Sequence, residues 1–214
     1  MYPINLQLTG RSCAVIGGGQ VALRKVKNLL AAGACVTVFS PQLEPALQVM
    51  LEEAPDILRW RPGAYRQGCL QGFFLVFCTA DDPQVNRQAA LEAKAAGSLV
   101  NAATEPGLCD FMVPAKVERG SLLLTVSTGG ASPALARLLR QQLEEEFSEA
   151  YGIWLERLME LRQQLLATAT DSRQRQAFWR LALRKEILDL VRDGHIDQAE
   201  AEIKHAIDCF RAQS

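Results

Sequence analysis

Through the first hundred residues, short apolar runs alternate with stretches in which apolar positions recur at helical spacing. Ser12 to Ile16, Cys35 to Phe39, Leu58 to Trp60, Phe73 to Cys78 and Leu99 to Val100 read as strands. Val21 to Ala32, Leu43 to Ala54 and Pro83 to Ala96 read as the helices between them. Gly33 and Gly97 stand where helix-ending glycines belong. Strands alternating with helices predict a parallel sheet with right-handed crossovers, and strands that are apolar nearly throughout predict a sheet covered on both faces. A ligand then belongs beyond the carboxyl ends of the strands, at Gly17 to Gly19, Ser40 to Gln42, Thr79 to Asp82 and Asn101 to Thr104.

The pattern changes after Pro106. Phe111-Met112-Val113-Pro114 and Leu122 to Val126 read as two further strands around the turn at Arg119-Gly120, too few to stand as an isolated hairpin. Such a segment fits an extension of the sheet or a dimer interface. From Pro133 onward glycine is scarce and the period becomes helical. Trp154, Leu158, Leu161 and Leu165 form one stripe, and Ile196, Ala199, Ile203, Ala206 and Phe210 another; both are expected to be core. The chain therefore divides into an α/β, Rossmann-like domain over residues 1–113, a short segment over 114–148 for sheet extension or dimerisation, and an all-helical region over 149–214.

The first strand leads into chemistry. Ala14-Val15-Ile16-Gly17-Gly18-Gly19-Gln20-Val21-Ala22 joins a strand to a glycine turn and a helix, and Gly17-x-Gly19-x-x-Ala22 meets the G-x-G-x-x-(G/A) dinucleotide fingerprint. The first glycine turns the chain, the second lets backbone approach a pyrophosphate, and the small third residue lets the helix pack on the strand. The helix start then offers free N–H groups and a partial positive charge to phosphate. A second helix start follows Ser127-Thr128-Gly129-Gly130-Ala131-Ser132-Pro133, with Ser132 placed as cap and Pro133 in the first turn; Arg137 and Arg140 share one face beyond it. Spacing alone gives equal weight to an anion site and to a plain connection with solvated arginines.

Composition narrows the partners. With 214 residues, of which 49% are hydrophobic, the chain can bury a sizeable core, and a net charge of -1 offers no field for nucleic acid or a membrane surface. The amino-terminal residues lack the basic and apolar regions of an export signal, no apolar run is long enough to span a bilayer, and a cytoplasmic location is expected. The six cysteines form no C-x-x-C pair and read as reduced core thiols, and His195 and His205 form no metal motif.

Four ordered motifs carry a resemblance. They are Gly17-Gly18-Gly19-x-Val21-Ala22-x-Arg24-Lys25, then Thr79-Ala80-Asp81-Asp82-x-x-Val85-Asn86, then Asn101, Pro106, Phe111 and Pro114, and finally Ser127-Thr128-Gly129-Gly130-x-Ser132-Pro133-x-Leu135-Ala136-Arg137. Together they resemble the precorrin-2 dehydrogenase and sirohydrochlorin ferrochelatase family of siroheme synthesis, in its stand-alone form without a methyltransferase domain. The resemblance implies NAD-dependent oxidation of precorrin-2 to sirohydrochlorin, ferrous iron as a chelatase substrate in some members, and a homodimer. It implies cofactor contacts at Gly17, Gly18, Gly19, Gln20, Val21, Ala22, Ser40, Pro41, Gln42, Thr79, Ala80 and Asp81. It also implies substrate contacts at Asn101, Ser127, Thr128, Gly129, Gly130, Ser132 and Arg137, since the substrate is a polycarboxylate; no protein metal site is expected.

Two positions depart from the expected pattern. Where the family commonly reads N-x-x-D after the last parallel strand, with the aspartate the leading general base, this chain has Thr104 followed by Glu105. Threonine cannot act as a base at neutral pH, so Glu105, Asp110 or water takes its place, or one activity is diminished. The end of the second strand, Ser40-Pro41-Gln42, has neither an acid for a ribose hydroxyl nor an arginine for a 2′-phosphate. An alternative function, a dinucleotide-sensing module without turnover, draws on the same missing aspartate. A short-chain dehydrogenase is disfavoured, because neither Tyr65 nor Tyr151 is followed by the lysine that class needs.

Overall fold

The first apolar run becomes the central strand of a five-stranded parallel sheet. In the computed structural model, which describes residues 1–166 and 172–213, β1 (Ser12–Ile16) lies between β2 (Cys35–Ser40) and β4 (Leu75–Cys78), while β3 (Leu58–Pro62) and β5 (Leu99–Ala102) form the edges. The order is β3-β2-β1-β4-β5, with Ser12 opposite Cys35 and Cys13 opposite Leu75. Chain direction across the sheet reverses at β1, so the carboxyl ends of β1 and β4 flank the crevice where doubly wound sheets take ligands.

Both faces of the sheet are covered, as the near-continuous apolar strands predict. Side chains alternate across a strand. Cys13 and Val15 of β1 meet Ala22, Leu23, Val26 and Leu29 of α1 (Gln20–Ala31) on one face; Ala14 and Ile16 join Ala89, Ala90 and Ala93 of α3 (Pro83–Ala95) on the other. The alanines let α3 lie close against the strands. Gly33 and Gly97 end these helices at φ of +77° and +81°, the left-handed geometry expected of them.

Several ends differ from the periodicity: β4 starts at Leu75 and not at Phe73, and β3 and β5 run two residues further, to Pro62 and Ala102. The second helix, α2 (Pro45–Glu53), begins at Pro45 and not at Leu43, because the Glu44 N–H donates to the Gly18 carbonyl at 2.8 Å and folds the preceding loop onto the glycine turn. The apolar run Phe111 to Pro114 is not a strand. The Phe111 carbonyl accepts from Asn101 Nδ2 at 3.0 Å, its ring packs edge-on against Phe77, and Pro114 has no N–H to give a ladder. Its apolar character serves packing, and the hairpin strand starts one residue later.

By contact pattern the chain separates into two units, residues 1–113 and 114–214. In the second, β6 (Ala115–Arg119) and β7 (Leu122–Val126) pair antiparallel around Gly120, followed by α4 (Pro133–Glu146), α5 (Ala150–Leu166), α6 (Ser172–Ala182), α7 (Lys185–Arg192) and α8 (Ile196–Gln213). Arg119 ties the hairpin to the end of α4 by donating to the carbonyls of Phe147 and Glu144. Gly152 lets α5 approach the hairpin turn, since a Cβ there would stand 2.9 Å from the Arg119 carbonyl carbon. The stripes on α5 and α8 form one core with Phe178, Ile187 and Val191.

Among the described residues no cysteines are paired in a disulfide, no group of acidic, cysteine or histidine side chains could hold a metal, and no helix is long and apolar enough to cross a membrane. Burial pushes the Cys78 thiol up to about 12, so it stays protonated. Cys209, by contrast, is exposed on α8 beside His205.

Candidate functional site

The glycine turn after β1 opens into a cleft of about 500 Å³ at the carboxyl ends of β1, β2 and β4. Each glycine has its own reason. Gly17 takes φ +110°, and a Cβ there would lie 2.6 Å from the Thr79 carbonyl oxygen. Gly18 is demanded by the returning loop, for its Cβ would lie 2.1 Å from the Gln42 carbonyl and 2.6 Å from Ser40 Oγ. Gly19 has an ordinary φ of -86° and open space around it. It is the N-cap of α1 and no side chain caps it, so the first-turn amides have no side-chain acceptor from the cap. A turn whose third glycine leaves room for a ligand, before an uncapped helix start, fits a pyrophosphate.

The other expected cofactor residues divide. Ser40, Pro41 and Gln42 line the cleft, as do Thr79, Ala80 and Asp81 from the loop after β4. Gln20 and Val21 are exposed on the first turn of α1, outside the lining, and Ala22 is wholly buried in the core, so its part is helix packing and not contact with a ligand. Thr79 is anchored by its hydroxyl and its N–H, both donating to the Ile16 carbonyl at 2.9 and 2.8 Å. Asn86, fully buried on α3, accepts from the Ala80 N–H and donates to the Ala80 carbonyl, each at 2.8 Å. That pair of bonds is what the Thr79 to Asn86 motif encodes.

Other lining residues were not among the expected cofactor contacts, Leu43 and Pro45 beside the returning loop included. Glu44 joins the lining through the fold-back of its loop, and one of its carboxylate oxygens accepts from Gln20 Nε2 at 2.6 Å. Ala64 and Tyr65 come from the irregular segment after β3, and Val85 from α3. The Tyr65 hydroxyl donates to Glu92 of α3, which also accepts from the Gly68 and Leu70 N–H groups at 2.9 and 2.8 Å. Burial and then this bond push the Tyr65 hydroxyl pKa up. Burial alone would raise Glu92, yet the three donors outweigh it and hold its carboxyl below the ordinary value. Val85 falls within the Thr79 to Asn86 motif, whereas no periodicity or motif marks Glu44, Ala64, Tyr65 or Glu92; the aromatic flanked by Gly63 and Gly68 was the only available signal.

The loop after β5 holds the candidate bases. Thr104 is exposed and its Oγ1 accepts from Asn86 Nδ2 at 3.3 Å, which links it to the Ala80 wall. Glu105 pairs with exposed Arg87 at 3.2 Å. Asp110 is committed on both oxygens, to Lys94 at 2.6 Å and to the Val100 N–H at 3.0 Å. Asn101 is engaged with the Phe111 carbonyl. Lys25 stands 5.1 Å from the centroid of Phe77, and burial with neighbouring Arg24 holds its ammonium pKa below the usual range.

The second glycine turn lies in the other unit and is built differently. Gly129 and Gly130 take φ of +66° and +86°, and Ser132 caps α4 by accepting from the Leu135 N–H at 3.2 Å. Thr128 Oγ1 accepts from the Ser132 N–H and donates to its carbonyl, while Ser127 Oγ accepts from the Gly129 N–H. Arg137 is exposed without an acidic partner among the described residues; Arg140 pairs with Glu144.

Comparison with known proteins agrees with this geometry. A family described as putative NAD(P)-binding matches residues 4–115, one described as sirohaem biosynthesis protein central matches 119–146, and one described as sirohaem synthase dimerisation region matches 150–207. Siroheme synthase of Nitrosococcus oceani is 36% identical over 206 residues, which are 96% of this chain and 44% of that protein. Siroheme synthase of Methylobacillus flagellatus is 37% identical, with 96% and 44% covered. The chain thus spans less than half the length of these relatives. The solved structure of SirC, precorrin-2 dehydrogenase, matches with a TM-score of 0.80 and 26% identity, covering 97% of this chain and 99% of that one.

Proposed function

The chain belongs to the precorrin-2 dehydrogenase and sirohydrochlorin ferrochelatase family, and on that premise we propose that it oxidises precorrin-2 to sirohydrochlorin with NAD in siroheme biosynthesis. The observation that carries this reading is the uncapped start of α1 opening into a cleft at the β1/β4 crevice. NAD, when bound, supplies the hydride acceptor; the substrate gives up a hydride and a proton, and the product gains conjugation. What remains for the protein is orientation and exclusion of wrong geometries. The amides of Gly18 to Val21 would hold the pyrophosphate, that of Gly17 being given to the Phe39 carbonyl at 2.9 Å, with Ser40 to Gln42 and Thr79 to Asp81 as walls. Asn101, Arg137 and the Ser127 to Ser132 turn are the residues we propose for the substrate's carboxylates.

Proton removal is assigned to the loop from Thr104 to Asp110. Glu105 is its most available carboxylate, since its one ion pair is with an exposed arginine, whereas Asp110 holds Lys94 and the Val100 amide. Insertion of ferrous iron as substrate demands more, because two pyrrole protons must be stripped from a held macrocycle. With threonine in place of the family aspartate, we propose a competent dehydrogenase and a weaker chelatase. The apolar face of α4, with Leu135, Leu138 and Leu139 exposed, together with exposed Leu123 on β7, supports a homodimer.

The test is to mix purified protein, NAD and precorrin-2 without oxygen and follow sirohydrochlorin and NADH together. Equal formation of both is expected, and Thr104→Asp should raise iron insertion more than oxidation. Binding of NAD without turnover would replace the enzyme by the sensor reading.

A further inference from the structure

The cleft is built from backbone amides and carboxylates. Glu44, Asp81 and Asp82 line it, and among its lining residues there is no lysine, arginine or histidine. Arg61 and Arg66, which flank the lining segment Ala64-Tyr65 in sequence, are exposed and outside it. Of the three acids, Asp82 is engaged as the cap of α3, accepting from the Gln84 N–H at 2.8 Å, and Asp81 is exposed. Glu44 differs from both. The bond from its own N–H to the Gly18 carbonyl fixes its backbone against the glycine turn, and Gln20 Nε2 holds one of its oxygens at 2.6 Å. Its second oxygen has no donor among the described residues and is available to a hydroxyl.

In doubly wound dinucleotide sites an acid just beyond β2 accepts from the adenosine ribose 2′-hydroxyl, and an arginine there takes a 2′-phosphate. The sequence shows neither at Ser40 to Gln42. The fold-back of Pro41 to Glu44 brings the acid in from four residues beyond the strand end, where spacing alone would not look. We infer that this cleft accepts the unphosphorylated dinucleotide and rejects its 2′-phosphorylated form, with Glu44 as the deciding residue. The inference rests on the cofactor reading above and adds its specificity. A 2′-phosphate brings up to two further negative charges into a lining that already carries three carboxylates and offers no cation. The unphosphorylated ribose instead donates a hydrogen bond to the open Glu44 oxygen.

Calorimetric titration of the full chain with NAD and with NADP tests this, on wild type, Glu44→Gln and Glu44→Arg. Wild type should bind NAD about tenfold or more tightly than NADP. Glu44→Gln keeps the side chain's shape and its bond to Gln20 but loses the charge, and should narrow the ratio; Glu44→Arg should move the preference toward NADP. A series on unmutated protein gives an independent reading. Raising ionic strength from about 0.05 to about 0.5 M should shrink the NAD/NADP ratio, since the repulsion is screened. Equal affinity of wild type for both dinucleotides would overturn the inference and leave the cofactor site standing. A ratio unmoved by either variant and by salt would remove Glu44 as its cause. If neither dinucleotide binds, the inference falls together with the site itself.

Discussion

Two helices in this chain start after a glycine turn that follows a strand, and they are finished in opposite ways. At α1 the N-cap is Gly19, with no side-chain cap and open space around it. At α4 the cap is Ser132, whose hydroxyl accepts from the Leu135 amide while Thr128 grips Ser132 by both backbone groups. The first start leaves its donors for something outside the chain; the second satisfies a good part of its own. Both turns carry adjacent glycines between a strand and a helix, so the glycines alone do not say which one binds. What separates them is the residue at the N-cap, for a glycine there carries no oxygen to turn back on the helix.

The sharpest way to break the comparison lies inside the first turn. Gly17→Ala places a Cβ against the Thr79 carbonyl at a φ of +110° and should cost about 3 kcal/mol or more of stability in denaturant unfolding. Gly19→Asp meets nothing, so the variant should fold with near wild-type stability yet lose about a hundredfold or more in NAD affinity, because a carboxylate then stands where we propose the pyrophosphate. A Gly19→Asp protein that binds NAD normally would mean that the first start is not the phosphate site.

A smaller effect is expected at Glu92, which holds Tyr65 and the Gly68 and Leu70 amides beside the cleft. Glu92→Gln loses acceptor capacity and should weaken NAD binding several-fold without touching the helix start, and Tyr65→Phe should retain more affinity than Tyr65→Ala. The pH dependence follows from the depressed carboxyl. Its folded pKa lies below the ordinary value of 4.5, so its contribution is full above that value and is lost as pH falls through the folded pKa. Melting curves of Glu92→Gln should therefore approach those of wild type as pH drops below about 4.5. A constant gap down to pH 3 would show that the clamp does not titrate.

The smallest effect belongs to the second turn. Ser132→Ala should cost about 1 kcal/mol of stability, the usual worth of a helix cap, and leave NAD affinity unchanged. A large loss of NAD affinity with this variant would erase the distinction between the two starts.

Much of this was legible in the chain, and the reasons are local. Ser12 to Ile16 and the glycine turn announce themselves because strand period, turn residue and helix period are each set by neighbours in sequence, and Ser132-Pro133 is read correctly as a capped start for the same reason. The α5 and α8 stripes are core because a helical period has one buried side. Glu44, Tyr65 and Glu92 were not legible. Their roles arise from contacts that link residues roughly two dozen apart through a fold-back or a loop clamp, and no spacing rule encodes those. Phe111 to Pro114 misleads because an apolar run that packs on Phe77 looks the same as one that pairs in a ladder.

Hydrogen–deuterium exchange of the full chain with and without saturating NAD reads both helix starts in one experiment. The amides of Gly18 to Val21 and of Thr79 to Asp82 should be slowed by the dinucleotide, while those from Thr128 to Ala136 exchange as before. Protection confined to Thr128 to Ala136, or absent from Gly18 to Val21 at a concentration where NAD is bound, would contradict the assignment of the cofactor to the uncapped start of α1.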